Sequence, residues 1–510
     1  MPHTSVAHCA GGCHSRTQRR LEAIDPHATT QAGPPALERS LGLRGAVTLN
    51  MLDMIGVGPF ITLPLLLSAM GGPQAILGWI LGAALAICDG LVWAELGAAM
   101  PEAGGSYYFL RTIYSGATGT ATAGRLVAFL FIFQLIFSAP LSVASGCIGL
   151  SQYAAFLWPS LARSPAVHSI HVGSYTAGVS VGLQTTLAIV VVIIAVALLY
   201  RRLASLRVVA AVMWCAVMGL IAWILATGLL RGHIAQAFTF PPNAFRLTPS
   251  FFHGLAAAML IATYDYWGYY NITFLGGEVK DAARTVPRAI LISIAAVGAM
   301  YLAMTVAVLS VIPWQHLAGA QDIAARRAVI AVFMQQAYGA HFGPLLSKLA
   351  AVLVMITAFA SVFSLLLGYS RIPFAAARDG NFFRPFGRLH REGFPHISLL
   401  VLGAAAICFC FFSLADVIAA LVVLRIVLQF LMQHIGVMLL RRTQPGLKRP
   451  FRIWLYPLPP LLAIAGFAYI LFARPNFSRE LLLAAAIILL GAAAFFLRAC
   501  NLPGPNVSDG

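Results

Sequence analysis

With 510 residues, of which 60% are hydrophobic and only 10% charged, the chain lies far below the roughly 25% charged residues of a soluble globular protein, which excludes water as its main solvent. The net charge of +17 does not point to nucleic acid, because the basic residues sit between apolar runs rather than in a patch on a polar domain. Unbroken apolar runs such as residues 186–200 disfavour a transmembrane β-barrel, whose strands alternate in character over about ten residues. An all-α bundle in the lipid bilayer remains.

In chain order, residues 1–43 form a polar, basic tail. Its segment His8-Cys9-Ala10-Gly11-Gly12-Cys13-His14 brings thiols and imidazoles close enough for a soft metal, but short tracts of this kind in tails are commonly inert and no metal is expected. The first apolar run starts beyond residue 40, too late for a cleavable signal peptide, and should stay as the first anchor. A spanning helix needs about 20 apolar residues. Runs bounded by charge, Pro and Gly predict about twelve spans: 44–69, 73–99, 125–157, 176–200, 207–230, 251–276, 289–312, 343–370, 396–413, 416–440, 454–473 and 481–498. The stretch 314–339 is polar enough for an extramembrane loop with a short helix over 328–338. Cys88, Cys147, Cys215, Cys408 and Cys410 lie inside apolar runs and act there as small hydrophobes.

Alternate loops differ in charge. One side carries about 24 Lys and Arg, including Arg201, Arg202, Arg284, Arg388 and Arg441, against about 8 on the other. Only Arg425 falls within a span. The excess marks the cytoplasmic side, so both termini are expected in the cytoplasm of a cell (inner or plasma) membrane protein, as an even span count requires.

Span one contains Asp53-Met54-Ile55-Gly56-Val57-Gly58-Pro59. Pro59 lacks an N–H and clashes with the preceding turn, and the two glycines tolerate unwound backbone, so the helix is expected to break where it lines protein or water. The second half-helix then aims free N–H groups and a positive dipole end into the membrane. A plain proline kink is the alternative. Span six contains Thr263-Tyr264-Asp265-Tyr266-Trp267-Gly268-Tyr269-Tyr270. A carboxylate among aromatic faces suits a cationic amine, and one within the bilayer is costly unless it faces a cavity or partner. The alternative is aromatic packing around an internally bonded or protonated Asp265.

These interruptions lie about 210 residues apart, and each opens a group of five spans. Five is odd, so a second copy enters inverted, and the two broken helices meet near the midplane, a recurring plan for secondary transporters. The expected division is a tail to 43, repeats at 44–230 and 251–440, two added helices at 454–498 and a cytoplasmic tail at 499–510.

The chain resembles the amino acid, polyamine and organocation permease superfamily. The likeness is carried by Gly56-Val57-Gly58; by Trp93-Ala94-Glu95-Leu96-Gly97 with Pro101-Glu102-Ala103-Gly104-Gly105-Ser106-Tyr107; by Gly277-Glu278-Val279-Lys280 with Thr285-Val286-Pro287-Arg288; and by Ala377-Arg378-Asp379-Gly380. Within the superfamily, Tyr266-Trp267 and the segment 128–146 look more like polyamine-type and related bacterial permeases than narrow amino-acid carriers.

The resemblance implies a fold like that of the bacterial leucine transporter, with helices one and six broken, and no cofactor. It implies a solute site at Ile55, Gly56, Val57, Gly58 and Pro59 for a carboxylate, and at Thr263, Tyr264, Asp265, Tyr266, Trp267 and Gly268 for an amino group under an aromatic lid. Gln134 and Ser138 on span three and Ser361 on span eight flank it. Some sodium-independent members carry a lysine in span five, whereas residues 207–230 here contain none. Proton coupling therefore falls to Asp53, Asp89 or Asp265, with Glu95 read as structural.

His253, His316, His341 and His434 lack metal-ligand spacing and are expected to be hydrogen-bonded or exposed. No G-x-x-x-x-G-K-[ST] or H-E-x-x-H pattern occurs. The expected function is a proton-coupled or exchanging carrier of amino acids or related amines, whose partners are the small solute and the lipid bilayer, with no nucleic acid. The alternatives are a polyamine or organocation importer and, from different classes, a solute sensor or a membrane-embedded enzyme.

Overall fold

Lipid offers no partner to an unpaired backbone group, so helices dominate a chain of this composition. The computed structural model describes residues 39–162, 166–172, 175–200, 203–319, 327–412, 425–474 and 477–500. The N-terminal Cys/His tract, residues 499–510 beyond Cys500 and the first part of the expected 416–440 span lie outside them. Helices α1 (Leu43–Met54) and α2 (Gly58–Met70) meet at a 46° bend across three residues. Then come α3 (Ile76–Ala99), α4 (Ser106–Thr118), α5 (Ala121–Leu157), α6 (Leu183–Leu199), α7 (Leu203–Arg231), α8 (Pro249–Tyr266), the single turn α9 (Asn271–Phe274) and α10 (Ala282–Leu309). They are followed by α11 (Trp314–Ala318), α12 (Val329–Tyr369), α13 (Arg371–Arg378), α14 (His396–Phe409), α15 (Met432–Thr443), α16 (Leu458–Phe472) and α17 (Phe477–Cys500). A π-helical turn, Ile426–Leu431, leads into α15.

Among the described residues, five helices are long and apolar enough to cross a membrane, or six if the bent pair is one span. Four more apolar helices have 10–17 residues. Inside α12, Gly339 is non-helical (φ 68°, ψ −168°), which sets off residues 329–338 as the short helix expected in that loop. The expected start of a span at 176 is corrected. Residues Ala166–Val172 and Tyr175–Val181 pair as an antiparallel hairpin, and the helix begins only at Leu183. Val167, Ile170, Val172, Thr176, Val179 and Val181 are β-branched, which favours strands, and the apolar run of the helix begins only after Gly182.

Small residues bring the helices together, as expected where lipid supplies no hydrophobic drive between them. A Cβ on Gly78 or Gly82 of α3 would stand 2.8 Å from Ala258 or Ala262 of α8. Polar residues are matched near one end of α3. Both oxygens of Glu95, 1% exposed, are taken: Oε1 accepts from Arg441 Nε at 2.9 Å, and Oε2 from Arg441 Nη2 and from the Ile453 N–H at 2.8 Å. Arg449 Nε lies 3.5 Å from Oε1. Arg371 donates to buried Glu278 at 2.8 Å, and Asp379 pairs with Arg111 and Tyr107. The short motifs read in the sequence thus serve as ion-pair clamps between helix ends. Desolvation and the neighbouring Asp379 push the Tyr107 phenol well above its usual range, so it stays a donor.

Candidate functional site: a charged cavity between two helix interruptions

The first interruption is set by space rather than by dihedral freedom. Neither Gly56 nor Gly58 has a positive φ. A Cβ on Gly56 would stand 2.8 Å from Ser361 Oγ, and one on Gly58 only 2.1 Å from Asp265 Oδ1. Pro59 sits in the first turn of α2, where its missing N–H costs nothing, so it starts a helix rather than kinking one. The second interruption does need its glycine. Gly268 adopts φ +130°, and a Cβ there would press on the Met54 N–H and the Asp53 carboxyl at 2.8–2.9 Å.

Cross-links hold the two interruptions together. Tyr301 of α10 shares its hydroxyl proton between the carbonyls of Met54 (2.6 Å) and Asp265 (3.1 Å), which end α1 and approach the end of α8. Asn50 of α1 donates to the Tyr269 carbonyl at 2.6 Å and accepts from the Ile272 N–H at 3.0 Å. On α12, Ser361 and Ser364 donate to the Asp53 and Leu49 carbonyls.

These elements line a cavity with room for little more than a small solute, about 50 Å³. Of the expected residues, Asp53, Gly56, Val57, Gly58, Tyr264, Asp265, Trp267, Gly268 and Ser361 line it; Ile55, Pro59, Thr263, Tyr266, Gln134 and Ser138 do not. Tyr266 is turned onto Trp79 and Tyr301. On α5 the lining comes from Ser142, Ser145 and Gly146, one to two turns beyond Ser138. Arg425, Tyr270 and Tyr369 also line it, and the sequence reading gave none of them a role. An arginine alone in an apolar span was the available signal for Arg425.

Charge is unevenly satisfied here. Arg425, 2% exposed, donates to Tyr270 Oη (3.1 Å), Ser142 Oγ (2.8 Å) and the Ser138 carbonyl (3.3 Å), and its guanidinium carbon lies 5.6 Å from the Trp267 ring and 5.1 Å from that of Tyr369. Its Nε has no partner. Asp265 Oδ2 accepts from Thr62 of α2, while its Oδ1 and Asp53 Oδ2 are unpartnered. The Asp265 carboxylate thus occupies the start of α2, where a helix dipole favours an anion. Trp267 stacks on Phe430 at 5.1 Å and 17°. Asp89 lies away from the cavity, accepting from Tyr269 and Trp93, with His434 Nε2 3.1 Å from its other oxygen. Among the described residues, no group of three His, Cys, Asp or Glu side chains could hold a metal ion.

Helices too apolar for water, enclosing a small buried cavity lined by backbone and charge, make a multi-pass membrane protein equipped to hold a small solute. The amino acid permease family is matched over residues 41–493. The chain belongs to that family, whose members are transporters rather than enzymes.

It is similar to the serine/threonine exchanger SteT of Bacillus subtilis (strain 168), 26% identical over 445 residues that cover 85% of this chain and 91% of that protein. The branched-chain amino acid permease BcaP of the same organism is 25% identical over 453 residues, covering 87% and 90%. The human Asc-type amino acid transporter 1 is 26% identical over 484 residues, covering 91% and 82%.

Proposed function

We propose that this permease carries zwitterionic amino acids, held in the cavity between the two interruptions, by alternating access. The single observation behind this reading is the pattern of unmet charge. Arg425 keeps a free Nε for a solute carboxylate, and Asp53 and Asp265 each keep a free oxygen for an ammonium group. Because Asp265 already sits at the start of α2, the carboxylate goes to Arg425 rather than to the Gly56–Gly58 backbone, and Trp267 covers the bound solute. The relatives named above are named for amino acids, which favours that class over polyamines.

The rest of the proposed plan is the twelve-span one. Five-helix repeats at 44–230 and 251–440 are inverted on each other, two helices are added at 454–498, and both tails lie in the cytoplasm of the cell membrane. A phosphatase fused to the C-terminus should then stay inactive; activity would reverse the orientation.

The function is tested by uptake of radiolabelled neutral and cationic amino acids and of polyamines into proteoliposomes. Saturable amino-acid uptake is expected, competed by other amino acids far better than by amines lacking the carboxylate. Arg425→Gln removes a charge-assisted contact of about 1.5–3 kcal/mol and should weaken amino-acid competition roughly 10- to 100-fold while leaving amine competition unchanged. Equal losses for both would take the carboxylate away from Arg425.

A further inference from the structure

Away from the cavity, α3, the second interruption and α15 enclose a polar cluster with no exposed atom of either key side chain: Asp89 and His434 are both 0% exposed. His434 Nδ1 lies 2.6 Å from the Phe430 carbonyl. A carbonyl only accepts, so Nδ1 carries a proton. The other ring nitrogen, Nε2, lies 3.1 Å from Asp89 Oδ1, off the ideal hydrogen-bond direction, and neither atom has another partner. Asp89 Oδ2 accepts from Tyr269 Oη and, at 3.2 Å, from Trp93 Nε1.

Without a further proton, the Nε2 lone pair would face a carboxylate oxygen in a dry interior. With one, the pair is either imidazolium and carboxylate or imidazole and carboxylic acid, two forms with the same proton count. The geometry therefore offers one place for a proton, beside Nε2 and Oδ1.

Its surroundings contribute few other charges. Cys88 adjoins it on α3, and Tyr269 and Tyr270 face it from the interruption. From α10, Ile290 and Ile294 pack at Gly90, and from α16 the Phe467 ring lies 5.7 Å from His434. Glu95, with Arg441 and Arg449, forms its own closed clamp farther along α3.

Two connections reach the cavity. Tyr269 follows Gly268 of the lining, and Phe430, whose carbonyl holds His434, stacks on Trp267. A rearrangement of the interruption on solute binding would reach Asp89 through Tyr269 and His434 through Phe430.

We propose that Asp89 and His434 form a buried proton-binding site through which proton movement is coupled to the solute cavity. The proposal rests on the carrier reading above, and the two fail differently. Full-length protein in proteoliposomes is given a mixture of the standard L-amino acids, with a pH dye trapped inside. For one coupled proton, a one-unit inward acid gradient should raise wild-type accumulation by up to about tenfold, and cargo should draw protons inward.

Asp89→Asn and His434→Gln should reduce both signals to the level seen without a gradient, while exchange of internal for external cargo persists. Wild-type exchange with no response to the gradient would overturn the proton site and leave the carrier; no amino-acid flux at all would overturn both. Variants that respond to the gradient like wild type would make the pair purely structural. If neither variant gives folded protein, Tyr269→Phe decides. It removes only the phenol that donates to Asp89, so gradient-driven accumulation should fall at least twofold while exchange of internal for external cargo stays unchanged. Accumulation under the gradient equal to wild type overturns the proposal.

Discussion

The cavity and the Glu95 clamp use the same residue types to opposite ends. At the clamp, one carboxylate has both oxygens bonded, with two arginines and a backbone N–H converging on it. In the cavity, two carboxylates and a guanidinium each keep an atom without a partner, although all three residues are buried. An unpartnered buried polar atom carries its full desolvation cost, about 1–3 kcal/mol and more when charged. A ligand that met those atoms would relieve the cost, whereas at the clamp the carboxylate is already satisfied and only Arg449 Nε lacks a hydrogen bond.

The largest effect that would sharpen this contrast comes from filling the cavity. Gly58→Leu places a side chain where Asp265 lies, and uptake is expected to fall by about 100-fold or more while the protein still inserts and runs as a single species in detergent. Near-normal uptake would reduce the first interruption to a bend. A smaller loss is expected for Asp265→Asn, which keeps an acceptor for Thr62 but removes the charge. The concentration for half-maximal uptake should rise roughly tenfold, more for cationic than for neutral solutes. Unchanged uptake of both classes would make Asp265 a cap of α2 and nothing else.

Smallest in transport, though not in stability, is Glu95→Gln. It leaves two arginines without their anion and should destabilise the fold by about 3 kcal/mol, at the low end for a broken buried pair because Arg441 is partly exposed. Thermal unfolding in detergent reads that loss, and exchange per folded molecule should stay within about twofold. Lost exchange at full stability would erase the distinction between clamp and cavity.

The sequence marked both places where these helices stop, but it did not show what the glycines of the first make room for. Gly56 and Gly58 read as tolerating unwound backbone and sparing space, and the residues they give way to, Ser361 and Asp265, lie more than 200 positions away in sequence. Gly268, read simply as part of the lining, is the one that needs its positive φ. On α5 the cavity is lined by Ser142 and Ser145 rather than by Ser138. Ser138, Ser142 and Ser145 follow the helical period, but which turn meets the cavity is set by packing, such as Gly146 against Val362, and composition does not encode it.

Arg425 was visible as a lone charge, but its partners come from α5 and the second interruption, and no local pattern announces them. His434 looked isolated for the same reason, because Asp89 lies far away along the chain. The hairpin at 166–181 was missed because its β-branched residues run into the apolar helix that follows and extend its hydropathic signal.

The permanent charge of Arg425 bears on how the carrier responds to the membrane voltage. A guanidinium stays protonated across the physiological range, so Arg425 does not change its own charge when a zwitterion enters. Where Asp53 and Asp265 keep their protonation as well, filled and empty carriers carry the same charge across the field, and one-for-one exchange of zwitterions is electrically silent. A proton travelling with the cargo adds one unit, worth about 2.3 kcal/mol for each 100 mV. Each cycle then moves one net charge inward, so a membrane that is negative inside would favour accumulation without any change in how the cavity grips its solute.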